Sequence, residues 1–160
     1  MAELGEQREY PQRLYHAVPP WVKSGSCFHI RLRLDFEHPA SRSLTQPEIA
    51  RGLLSAARFY HERQRWHCRL CLLMPDHIHA LLAFPMETRM SRVIGEWKHY
   101  ASRQWGLNWQ ANYFDHRIRN AAGLAEKYAY IRRNPVVKNL CRHEDDWPWA
   151  WQPDEPLTPD

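Results

Sequence analysis

Two short stretches of this chain carry side chains that could do chemistry together. The first is Met74-Pro75-Asp76-His77-Ile78-His79. On a strand, residues two apart share a face with Cα atoms ~6–7 Å apart. His77 and His79 can then converge on one ion, while Ile78, Ala80 and Leu82 turn to a core. Imidazole nitrogen suits several divalent metals, and an open coordination shell leaves room for a phosphate oxygen. A polar sheet face without any ion would hold the same pair. Its place directly after Pro75-Asp76 puts it at the start of a strand.

The second stretch is Lys127-Tyr128-Ala129-Tyr130-Ile131-Arg132-Arg133-Asn134-Pro135. On a helix, residues three and four apart are neighbours, so Lys127, Tyr130, Arg133 and Asn134 share a face. Phenols titrate near a pKa of about 10 and attack weakly at neutral pH, unless cations or a metal-bound phosphate favour the ionised form. In this grouping Tyr130 can attack phosphorus and Asn134 can offer its amide oxygen to an ion. Lys127 and Arg133 can neutralise phosphate charge. Tyr130 would equally fit as a ring packed in the core, although Tyr128, in line with Leu124 and Ile131, suits that place better.

Other His-x-His chemistries fit poorly. A histidine-triad nucleotide hydrolase needs a third alternating histidine, and position 81 is Leu. A barrel amidohydrolase needs roughly 250 residues of fold, against 160 here. Cys68 and Cys71 form a C-x-x-C, but on a strand positions three apart point to opposite faces, and no second pair follows. Buried, inert thiols are the expectation for them.

The elements that must position these groups follow from periodicity. Phe28 to Leu34 alternates apolar residues with His29, Arg31 and Arg33, giving a strand with one core face and one solvated face. Thr45-Gln46-Pro47-Glu48 has the form of a capping box, opening a helix to about residue 64 with Ile49, Leu53, Ala57 and Tyr60 along one stripe. Strands over 66–74 and 77–84 form a hairpin about Pro75-Asp76. A helix over 89–105 ends at Gly106, and part of 109–119 forms another strand. A last helix begins near Asn120, and Pro135 ends it or excludes an undisturbed interior there. The order β-α-β-β-α-β-α predicts an α+β fold, an antiparallel sheet with helices packed on one face. Residues 1–25 read as an N-terminal arm, 26–140 as the domain, and 141–160 as a Trp- and Pro-rich tail.

The bulk composition agrees with an anionic partner without requiring one. Lys plus Arg exceed Asp plus Glu by 22 to 18, a net charge of +4, with a pI near 9.0. No apolar run approaches the roughly 20 residues of a membrane span. The N-terminus lacks the apolar core of a secretory signal. These features point to the cytoplasm.

Taken together, the pieces resemble the REP-associated tyrosine transposases, a branch of the single-tyrosine HUH endonucleases. The resemblance rests on Met74 to His79, on Trp109-Gln110 with Tyr113-Phe114-Asp115, and on Tyr130-Ile131-Arg132-Arg133-Asn134-Pro135-Val136. It spans roughly residues 26–140. It implies a ferredoxin-like antiparallel sheet with helices, the two histidines on a central strand and the tyrosine helix across from them. It implies cleavage and rejoining of single-stranded DNA beside palindromic, REP-like hairpins through a 5′-phosphotyrosine intermediate. His77, His79 and Asn134 would hold Mg²⁺ or Mn²⁺, and Tyr130 would be the nucleophile. A catalytically silent protein that binds the hairpin is the alternative. For the DNA backbone the candidates are Arg31, Arg33, Arg117, Arg119, Lys127, Arg132 and Arg133. Trp147, Trp149 and Trp151 could stack on unpaired bases or pack the tail onto the domain. A homodimer and a monomer are both compatible with the resemblance.

Overall fold

The computed structural model describes residues 26–154. The expected arm, 1–25, and the last six residues of the tail lie outside them. The elements are β1 (Cys27–Arg33), α1 (Pro47–Glu62), β2 (His67–Leu73), β3 (His77–Ala83), α2 (Met90–Trp105), β4 (Phe114–Ile118), α3 (Ala121–Val137) and β5 (Ala150–Trp151). The strands form one sheet in the order β4-β1-β3-β2-β5, and every pairing is antiparallel. The expected α+β class is the one found. Its first four strands take the order of a ferredoxin-like β-α-β-β-α-β unit.

Alternation along the strands sends side chains to two faces, and both are covered. Ile30, Ile78, Ala80 and Leu82 meet Leu53 of α1 and Trp97 of α2 in the larger core. Leu70, Leu72, Leu81 and Ile118 meet Leu124, Tyr128 and Ile131 of α3 in the second. The expectation that the helices share one face therefore fails for α3. The opposite face carries enough large apolar side chains of its own to need a cover, and α3 supplies it.

Several local expectations are corrected too. The capping box does not form: the N-cap of α1 is Gln46, with no side-chain cap, and Pro47 takes the first position of the helix. Thr45 sits one residue too early and instead bonds to Ser43. Pro135 lies inside α3 and does not end it. It stands in the last turn, where only the carbonyl four residues earlier loses its donor, so the cost is tolerable. Gly106 closes α2 as expected, at a left-handed φ of 64° that a side chain would strain.

In β2 the register moves from Cys68↔Leu82 to Leu70↔Leu81, which makes Arg69 the extra residue of a β-bulge. The bulge resets the alternation, so Cys68 and Cys71 share the face toward α1 and α2, contrary to the simple strand rule. Both are free thiols sealed in the core. Burial pushes Cys71 up to about 12 and Cys68 well above the usual thiol range. They are inert, as expected, though for a different geometric reason.

The tail continues along the sheet edge. Cys71 pairs with Trp151 and Leu72 with Ala150, Leu73 N–H donates to the Trp149 carbonyl at 2.8 Å, and Trp147 Nε1 donates to the Leu73 carbonyl at 2.9 Å. Trp151 is buried in the α1–α2 core. Trp147 packs against the α3 core. Among the described residues no helix is long and apolar enough to cross a membrane.

Candidate active site

The site is built where β1, β3 and α3 meet. In the antiparallel register Arg31 faces His79 and Arg33 faces His77, so the polar side of β1 and the histidines of central strand β3 share the face under α3. Along α3 the apolar positions Leu124, Tyr128 and Ile131 anchor the helix. Asn134, three residues beyond Ile131, is carried down toward the sheet.

The distances are short. His77 Nε2 and His79 Nε2 stand 3.2 Å apart, and the Asn134 amide nitrogen is 3.1 Å from His79 Nε2. On their outer sides, His77 Nδ1 meets Asp76 Oδ1 at 2.6 Å and His79 Nδ1 meets His29 Nε2 at 2.9 Å. Both Nδ1 atoms are thus engaged, leaving both Nε2 atoms turned inward. The Asn134 amide oxygen is buried without a hydrogen-bond partner. Nitrogen and oxygen of an amide are assigned from such networks, and turning this one over would aim its oxygen at the histidines.

Burial holds the imidazoles neutral. His79 is pushed down to about 2 by burial and by the charges of its neighbours, including Arg31 and Arg33. His29 is lowered to about 4, chiefly by burial and then by Lys127 and Arg31. Burial also lowers His77, against the opposing pull of Asp76. Neutral rings keep the lone pairs that ligation requires. Among the described residues no three His, Cys, Asp or Glu side chains gather to hold an ion. A cation here would take two imidazoles and the amide oxygen of Asn134. Two inward Nε2 atoms and an orphaned buried oxygen fit a divalent ion.

Tyr130 stands beside this cluster, half-exposed. Its ring centroid is 6.1 Å from that of His79 and 6.4 Å from that of His29. The Lys127 ammonium lies 5.7 Å from the Tyr130 centroid. Tyr128 is buried, its hydroxyl bonded to Gln152, so of the two phenols on α3 it is Tyr130 that is open at this face.

The cationic candidates divide. Arg31 lies over the Phe114 ring at 5.1 Å, Arg33 reaches Asp76 at 3.7 Å, and both border the histidines with Lys127. Arg133 is exposed on α3, its Nε donating to the Ala129 carbonyl at 3.3 Å. Arg119 is exposed in the turn before α3. Arg117 pairs with Phe28, on the face toward α1 and α2, and donates to the Ser26 hydroxyl at 3.2 Å. Arg132 turns to Asp145 of the tail at 3.6 Å. These last two are not brought to the site.

The sequence reading missed His29, Asp76 and Phe114. His29 was expected on a solvated face, yet it is only 3% exposed. Its period-two phase with Arg31 and Arg33 was the available signal, but α3 above it was not visible in that pattern.

No family model matches the chain. A Haemophilus influenzae protein named as a REP-associated tyrosine transposase is 28% identical over 102 residues, covering 51% of this chain and 55% of that protein. An Escherichia coli K12 protein of the same name is 28% identical over 82 residues, covering 49% of this chain and 50% of its own length. The chain resembles the REP-associated tyrosine transposases. It covers about half the length of each of these two relatives. A solved structure described as a REP-associated tyrosine transposase bound to a REP hairpin superposes with a TM-score of 0.67 at 21% identity, covering 84% of this chain and 81% of the other. At that identity the likeness is one of fold, and the fold is that of a REP-associated tyrosine transposase.

Proposed function

We propose that the chain is a metal-dependent single-tyrosine endonuclease and strand transferase. It would cut and rejoin single-stranded DNA at or near palindromic, REP-like hairpins. The observation that carries this reading is the meeting of His77, His79 and Asn134 with the exposed phenol of Tyr130. The structural neighbour, a transposase bound to a REP hairpin, supports the choice of DNA.

In this reading the Tyr130 oxygen attacks the scissile phosphorus in line with the leaving 3′ oxygen. The bond from phosphorus to the 3′ oxygen breaks, a 5′-phosphotyrosine forms, the phenolic proton passes to solvent and the 3′ oxygen takes one up. A 3′ hydroxyl can reverse the exchange, because the phosphodiester is conserved in the covalent linkage and no nucleotide triphosphate is needed. His77, His79 and the Asn134 amide would hold Mg²⁺ or Mn²⁺, which supplies polarisation of the phosphate and offsets its charge. Lys127, Arg31, Arg33 and Arg133 would hold neighbouring phosphates, so affinity falls with salt.

The test is a hairpin oligonucleotide with a single-stranded flank, labelled on the 3′ side of the cut. In Mg²⁺ or Mn²⁺ the label should migrate with the protein on a denaturing gel. It should be lost on chelation and in Tyr130→Phe. Salt-sensitive hairpin binding without an adduct would make the chain a silent hairpin-binding protein instead. An adduct that persists in Tyr130→Phe would remove the proposed nucleophile.

A further inference from the structure

His29 stands one strand away from His79, diagonally across the β1–β3 pairing, where it faces Leu81 in register. Its Nε2 lies 2.9 Å from His79 Nδ1, and the two rings are nearly parallel, with centroids 5.2 Å apart at 27°. The contact is buried, His29 at 3% and His79 at 1% exposure. It therefore lies out of the competition of water.

An imidazole that binds a cation through Nε2 must carry its proton on Nδ1, and a proton buried there needs an acceptor. For His77 that acceptor is the Asp76 carboxylate at 2.6 Å. For His79 the atom in place is His29 Nε2. We infer that His29 is a positioning residue for the metal site, accepting the His79 Nδ1 proton and thereby fixing both the tautomer and the ring angle of that ligand. This rests on the metal reading given under Proposed function. His29 is not itself a ligand in this arrangement, because it meets His79 on the side of the ring away from His77 and Asn134. The two ligands are thus held differently. His77 leans on an exposed carboxylate that solvent can reach, and His79 on a neutral ring sealed between sheet and helix.

Mn²⁺ binding to the full chain, followed by loss of the free-ion electron paramagnetic resonance signal, tests this without DNA or turnover. His29→Leu removes the acceptor at similar bulk, and His29→Gln returns a polar group at about the reach of Nε2. The Leu variant should bind Mn²⁺ about 10- to 100-fold more weakly while its metal-free form still melts cooperatively. The Gln variant should recover most of the loss. Wild-type affinity in a folded Leu variant would overturn the inference, as would a folded Gln variant no better than Leu. Nitrogen-15 spectra of the Mg²⁺-saturated wild type give a second measurement that needs no variant. The His79 proton is expected on Nδ1, and its presence on Nε2 would overturn the assignment. If the wild type binds no Mn²⁺ or Mg²⁺, the functional reading falls and this inference with it. Undiminished binding in the Leu variant sinks the inference alone.

Discussion

Replacing Trp151 by Ala measures how firmly the tail is part of the folded domain. The indole is 3% exposed and meets the His61 ring edge-on at a centroid distance of 5.6 Å. A Trp side chain buries roughly 150–250 Å², which at about 25 cal/mol per Å² corresponds to about 4–6 kcal/mol. That figure is an upper value, because an unfolded chain already hides part of its apolar surface. Large-to-small changes of this kind cost about 3–5 kcal/mol, so about 4 kcal/mol is the expected loss. A domain of this size has roughly 6–20 kcal/mol in total, making the loss severe but survivable over most of that range. With a urea slope of about 2 kcal/mol per M, the midpoint should fall by about 2 M. A fall under about 0.5 M would refute the argument, since the indole would then be lying on the domain without helping to hold it.

Tyr128→Phe and Tyr130→Phe should separate stability from chemistry. The first loses the bond to Gln152, about 1 kcal/mol, and keeps the DNA adduct, whereas the second melts like wild type and loses the adduct. Acid should destabilise the fold between pH 7 and 5. His29 and His67 sit near 4 in the folded chain, mainly through burial, and near 6.5 when unfolded. The unfolded state then takes up more protons in that window, so stability is complete above about pH 6.5 and is lost progressively toward pH 4. A melting temperature that rises from pH 7 to pH 5 would contradict this. Gly52→Ala would place a methyl 2.1 Å from Trp105 Cζ2. Overpacking of about 1–3 kcal/mol should outweigh a helix-propensity gain of about 1 kcal/mol in thermal melts. The same change in a Trp105→Ala background should become neutral or stabilising.

The sheet's alternation, the hairpin at Pro75-Asp76 and the stop at Gly106 were legible because each is a local rule read over few residues. So was the phase that puts His77 with His79, and the helical spacing that puts Tyr130 with Asn134. The second core was not legible. Nothing in α3 alone says which sheet face its stripe of Leu124, Tyr128 and Ile131 will cover, and that choice decides whether His29 is wet or buried. Arg117 and Arg132 illustrate the same gap from the other side: a basic residue reads alike whether it turns to the site or, as here, to Ser26 and Asp145. The cysteine pair was misjudged because a bulge has no strong signature in a run such as CRLCLL.

That supernumerary Arg69 has a consequence for how the strand can change. Upstream and downstream of it, β2 keeps two different beats, and the arginine is the pause between them. Excising it would set Cys68, opposite Leu82, directly before Leu70, opposite Leu81, an unbroken alternation in which Cys68 keeps its place in the α1–α2 interior. The loss of this one residue is therefore a change of length that the strand can take without exchanging its faces.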